Sequence, residues 1–228
     1  MVSRSPDAHG REEEPRPAPA PAGSSLPVLR EASLSCRACP LWRRATQTVF
    51  GEGPAHAQLM LVGEQPGDEE DRAGRPFVGP AGRLLARALD DAGIDRRDTY
   101  VTNAVKHFKW TSKPERGKRR IHDKPSATEV SACRPWLLAE IEAVEPRVIV
   151  CLGATAAQAL LGPSFRITQH RGEPIPFAAA TQILPTVHPA SILRLRDDED
   201  RHRETRQFVA DLRAAAALTQ SAREPGAE

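Results

Sequence analysis

QLMLVGEQPG, from Gln58 to Gly67, joins a short apolar run to a Gly-Pro turn with a carboxylate inside it. The run is short and apolar and it ends in Gly63, so it predicts a buried strand with Glu64 at its carboxyl end. Working outward, a helix is expected from about Pro80 to Ala92, where Leu84, Leu85, Ala88 and Leu89 share one face and Gly93 stops the run. TYVTNAV (Thr99 to Val105) predicts the next strand. Ser126 opens a second helix through a Ser-x-x-Glu box with Glu129, and its apolar stripe is Val130, Cys133, Leu137, Ile141 and Val144. RVIVCLG supplies a strand ending at Gly153, an alanine-rich helix runs to Leu161, QILPTV (Gln182 to Val187) is a further strand, and a polar helix from about Asp197 to Thr219 closes the domain. Strands alternating with helices predict an α/β fold of three αβα layers around a mostly parallel sheet. Ligands of such sheets bind beyond the carboxyl ends of the strands, which directs attention to the residues just after Gly63, Thr102 and Val187.

The 228 residues fit one core plus loose ends. Residues 1–28, rich in Pro, Ala, Glu and Arg, are expected to form a disordered arm, residues 29–220 the domain, and residues 221–228 a frayed tail. Lys and Arg number 32 against 30 Asp and Glu, a net charge of +2, so any attraction for a polyanion has to be local. No stretch has the roughly 20 apolar residues of a membrane span and the N-terminus lacks a secretory core, so a cytoplasmic protein without membrane contact is expected.

Cys36 and Cys39 form a C-x-x-C pair, while Cys133 and Cys151 lie far downstream. Two readings stay open on spacing alone: a shared metal site, or a local pair plus two core thiols on an apolar helix stripe and an apolar strand. Glu64 in GEQPG can stabilise positive charge or simply cap a turn. Phe77 in RPFVGPAG precedes a glycine-flanked helix start, although most phenylalanines are core. Asn103 ends the second strand, where an amide offers both donor and acceptor to a base edge. His188 opens HPASILR, with Pro189 suited to a first helical position.

Together, CRAC (Cys36 to Cys39), GEQPG, RPFVGPAG, TNAVK, Cys133, CLGATAAQALLG and HPASILR, in that order, resemble the uracil-DNA glycosylase superfamily, in particular its iron–sulfur family 4, over about Ser35 to Leu212. The resemblance implies a uracil-DNA glycosylase-like fold and a [4Fe–4S] cluster on Cys36, Cys39, Cys133 and Cys151. GEQPG and KRRIH (Lys118 to His122) are similar to the UdgX branch, whose members bond covalently to DNA through a loop histidine matched here by His122. Ala190 departs from relatives that carry a second serine there, which removes one hydroxyl contact.

The stretch from Lys106 to Lys124 interleaves basic residues with Phe108 and Trp110 and suits a phosphate backbone and unstacked bases, or else is a solvated loop. By resemblance, His122, Glu64 and His188 are expected to do the chemistry, Gln65, Phe77 and Asn103 to bind the base, and Lys118, Arg119, Arg120, Ser191 and Arg194 to contact DNA. The partner implied is uracil-containing DNA, with the protein a monomer and no protein partner. The competing expectations are a conventional multiple-turnover family 4 glycosylase and a noncatalytic nucleic-acid-binding module stabilised by zinc.

Overall fold

The computed structural model describes residues 14–112, 120–178 and 180–220. The elements run α1 (Leu26–Leu34), β1 (Leu59–Gly63), α2 (Asp68–Ala73), α3 (Pro80–Ala92), β2 (Thr99–Asn103), β3 (Trp110–Thr111), β4 (Ile121–His122), α4 (Ala127–Val144), β5 (Val148–Leu152), α5 (Ala154–Leu161), α6 (Ile167–His170), β6 (Ile175–Ala178), β7 (Thr181–Thr186), α7 (Pro189–Leu193) and α8 (Asp198–Gln220). The main sheet has the order β2-β1-β5-β7-β6, with the first four strands parallel and β6 antiparallel to β7.

Alternation along the strands makes two cores. Leu59, Leu61, Val101, Val148, Val150 and Leu184 face one side, against α3, α7 and α8. Met60, Val62, Tyr100, Ile149, Cys151 and Ile183 face the other, against α4 and α5. Both faces are covered, so the strands read as continuous apolar runs rather than alternating ones. The three-layer expectation therefore holds. The boxed start of α4 is present as read: Glu129 N–H donates to Ser126 Oγ at 3.2 Å and Ser126 N–H to Glu129 Oε2 at 2.6 Å.

Residues 14–28, the described part of the arm, differ from expectation, and residues 1–13 lie outside the described residues. Arg16 N–H bonds Ala38 O and Ala18 N–H bonds Ala132 O, each at 2.8 Å, and α1 begins inside the stretch read as disordered. Ala18 is buried against Cys36, Cys39 and Trp136. A proline-rich chain makes no ladder of its own, but its remaining N–H groups can bond an existing surface, and composition does not show that. The tail expected over 221–228 lies outside the described residues.

Candidate active site

Four strand ends build the site. Glu64 follows β1, Asn103 ends β2, Thr155 sits in the first turn of α5 just after β5, and His188 follows β7. β1 lies between β2 and β5, so the chain leaves it in both directions and opens a crevice over its end. Two glycines let the walls close on that crevice. A methyl group at Gly63 would overlap Asn103 Oδ1 and lie 2.7 Å from Phe77 Cζ, and one at Gly153, where φ is +94°, would come within 3.1 Å of His188 Cβ.

Glu64 is held on both sides. Its backbone carbonyl accepts from Val105 N–H at 2.9 Å, its Oε2 accepts from the Thr155 hydroxyl, and its Oε1 lies 3.5 Å from His122 Nε2. That last separation is long for a hydrogen bond but within reach of one small movement. Burial lowers the pKa of His122, Arg194 adds to this, and Glu64 and Asp123 oppose it. The half-exposed imidazole is thereby favoured in its neutral form beside the carboxylate. Thr155 was not among the sequence candidates. Its signal was its place in CLGATAAQ, three residues beyond the end of β5.

His188 caps α7, and its Nδ1 accepts Ala190 N–H at 3.1 Å. An Nδ1 that accepts carries no proton, so the neutral ring bears its hydrogen on Nε2 and presents a donor. Burial pushes its pKa down to about 4, with the Arg194 and His122 charges adding to the effect. The unfolded chain therefore binds more protons than the folded one between about pH 4 and 6.5. His188 should make stability fall as pH drops through that window and contribute no slope above it. Denaturant titrations of native and His188→Gln protein at pH 4.5, 5.5 and 7 test this, since the slope should flatten in the variant. The His188 ring stacks on Phe77 at 6.2 Å between centroids and 27° between planes, and Phe77 holds φ at +57°, a conformation costly for an aromatic residue. Asn103 is buried, yet its carboxamide makes no hydrogen bond within the described residues.

His122 rides a two-stranded ribbon in which Trp110 pairs with His122 and Thr111 with Ile121. Two of the residues expected to meet base or DNA are engaged within the protein. Gln65, read as a base-binding residue, is buried, and its carboxamide is committed to the ribbon: Oε1 accepts from Lys109 N–H at 2.9 Å, and Nε2 donates to Lys109 O at 3.2 Å and Asp123 O at 2.9 Å. Arg120, read as a phosphate contact, bonds Asp68 and reaches Asp71 Oδ2 at 2.5 Å, because a fully buried carboxylate such as Asp71 requires a partner. Lys106, His107 and Phe108 are buried, and Lys109 pairs with Glu129 at 3.0 Å. Lys106, Lys109 and Arg120 are therefore engaged within the protein, while Lys124 is exposed. Lys118 and Arg119 lie outside the described residues. Ser191 and Arg194 are exposed near His188; the serine hydroxyl donates to His188 O at 2.7 Å and Arg194 Nε to Ala190 O at 2.9 Å.

Residues 50–213 match the model of the uracil DNA glycosylase superfamily. The chain belongs to that superfamily. Among its similar proteins are a type-4 uracil-DNA glycosylase of Thermotoga maritima, 41% identical over 76% of this chain and 86% of that protein, and a type-4 uracil-DNA glycosylase of Sulfurisphaera tokodaii, 36% identical over 74% and 76%. A type-5 uracil-DNA glycosylase of Pyrobaculum aerophilum is 32% identical over 67% and 72%. The superfamily match spans every strand-end residue named above and begins after Cys36 and Cys39.

The cysteines divide three to one. Cys36, Cys39 and Cys133 share one buried cluster, and burial above all, with Cys39 and Cys36 adding and Lys106 opposing, pushes the Cys133 thiol up to about 12. Two donors aim at these sulfurs: Trp136 Nε1–H at Cys36 Sγ and Lys106 N–H at Cys133 Sγ, both at 3.3 Å. Cys151 stands apart in the sheet core between Val62 and Pro185, and burial alone pushes its thiol up to about 12. Of the expected four-cysteine ligand set, Cys151 thus packs in a different core cluster from the other three. Among the described residues no group of three or more His, Cys, Asp or Glu residues is arranged to hold a single metal ion. Three buried thiols with N–H groups directed at two of them fit a larger, negatively charged sulfur group.

Proposed function

We propose that this protein excises uracil from DNA and then bonds to the abasic sugar through His122. The observation that carries the reading is His122 Nε2 poised 3.5 Å from the carboxylate of Glu64, itself fixed by Thr155. In this reading a flipped uracil stacks on Phe77, Asn103 reads its hydrogen-bonding edge, and His188 Nε2–H donates to a carbonyl oxygen of the base. As the C1′–N1 bond breaks, its electron pair leaves with uracil, which later takes a proton from water. Glu64 stabilises the cationic sugar. The His122 Nε2 lone pair then forms the new bond to C1′, and the resulting imidazolium releases its Nδ1 proton to solvent. A positioned imidazole outcompetes water through its high effective molarity. Ser191 and Arg194 border the site and would meet the DNA backbone, together with Lys118 and Arg119.

Cys36, Cys39 and Cys133 would hold a [4Fe–4S] cluster, which supplies a structural tie between the C-x-x-C loop and α4. Replacing Cys133 with Ser should lower iron content per chain and reduce thermal stability together, while Cys151→Ala should retain iron. Metal analysis with calorimetry checks both, and iron loss in Cys151→Ala would restore that residue as a ligand.

The identity to type-4 glycosylases supports a second reading, in which excision is followed by release of abasic DNA with turnover. Incubation with a uracil-containing oligonucleotide, denaturing electrophoresis and peptide mass mapping decide between them. A DNA-bearing peptide containing His122 supports capture. Free abasic product in excess of enzyme removes the capture step and keeps the excision, and an intact oligonucleotide removes both.

A further inference from the structure

Since the Asn103 carboxamide has no hydrogen bond within the described residues, its aim has to come from the backbone that carries it. The peptide following Asn103 is fixed at both ends. Asn103 O accepts from Lys106 Nζ at 2.8 Å, and Ala104 N–H donates to Gly63 O at 2.8 Å. Lys106 is 1% exposed, an unusual place for an ammonium. The same Nζ donates to Thr102 Oγ1 at 2.7 Å and pairs with Glu140, which is fully buried. Glu140 in turn accepts from Gly51 N–H at 2.9 Å and the Tyr100 hydroxyl at 3.0 Å. Lys106 is held at its other end too, since its backbone N–H meets Cys133 on the same helix, α4, that carries Glu140.

A buried ion pair gives little net stability over an apolar pair of similar volume, because desolvating two charges offsets their attraction. What it does give is direction: a charge-assisted hydrogen bond in a low-dielectric interior is stiff and geometrically demanding. We infer that the Lys106–Glu140 pair is a positioning device that, through the backbone carbonyl of Asn103, aims the base-reading carboxamide into the crevice. Lys106 touches neither base nor sugar in this arrangement. The inference rests on the reading of Asn103 given under the proposed function. Freeing the peptide would let the amide swing, and an amide left without its base partner costs about 10- to 100-fold in recognition.

The test uses Lys106→Met/Glu140→Gln, which removes both charges so that neither is left buried alone, and Thr102→Val, a milder change that deletes one acceptor of the ammonium and one donor to Glu140 and keeps the pair. Each is assayed at a temperature where circular dichroism reports native structure. Single-turnover excision of uracil and Kd for an undamaged oligonucleotide are measured, in the native background and in Asn103→Ala. The expected result is excision slowed by about 10- to 100-fold in the double variant and less in Thr102→Val, Kd within about 2-fold of native, and no further loss on top of Asn103→Ala. An equal loss in both backgrounds would assign the pair a purely structural role and overturn the inference. Native excision rates in the folded variants would also overturn it. If the double variant does not fold, Thr102→Val decides by the same comparison. Native excision by Asn103→Ala alone would remove the reading of Asn103 and this inference with it, whereas absence of excision by the native protein would remove the proposed function; each is visible in its own control.

Discussion

His122→Ser should abolish the denaturation-resistant protein–DNA adduct while leaving uracil excision in place. Glu64, Phe77, Asn103 and His188 are held by groups other than the His122 ring. Glu64 is fixed by Thr155 and Val105, and His188 by the Ala190 N–H. The ribbon itself is pinned by Gln65 and Arg120, so shortening one side chain should not release it. Serine is a weak nucleophile without an adjacent base, and the space left by the imidazole admits water to the sugar. The variant should therefore release abasic DNA and turn over. Denaturing electrophoresis at equal enzyme and substrate, followed by excess substrate, measures both effects. Persistence of the adduct would assign the nucleophile elsewhere, and loss of excision as well would give His122 a part in breaking the bond.

Glu64→Gln should slow excision by about 10²- to 10³-fold, the loss typical when one preorganised electrostatic contact to a transition state is removed. The amide keeps the volume and still accepts from Thr155, so geometry is retained while the negative charge facing the cationic sugar is lost. The adduct should then form slowly but still on His122, because capture follows excision. Single-turnover rates with peptide mapping read this out. If excision proceeds at the native rate and only the adduct yield falls, Glu64 acts on His122 alone.

The sheet was legible because its strands are covered on both faces and so stand out as apolar runs ending in Gly or polar residues; β1, β2, β5 and β7 all sit where those runs lie. α3 and α4 were legible through punctuation, Gly93 at one end and the Ser126–Glu129 box at the other. The two-residue strands β3 and β4 were not, since a ladder that short has no periodicity, and its register is set by Gln65 and Arg120 from outside. For the same reason the partners of Arg120 and Gln65 were not legible: a sequence shows the charge of Arg120 but not Asp68 and Asp71 beside it. Cys151 looked like a ligand because it is a cysteine, while the strand pairing that turns it into the apolar core is a tertiary fact. Lys106 looked like one more basic residue of a loop, and its burial depends on Glu140, a helix away.

Glu64, Asn103, Thr155 and His188 come from four separate strand ends, and they meet only where parallel strands have already paired. Parallel pairing joins residues far apart in the chain and is a late, slow event in folding. If His122 captures the abasic sugar as proposed, it would be hazardous were it active while the chain is still emerging from the ribosome. Here β7, and with it His188, must be synthesised and docked before the crevice has its last wall, so the chain gains its chemistry only near the end of its own assembly.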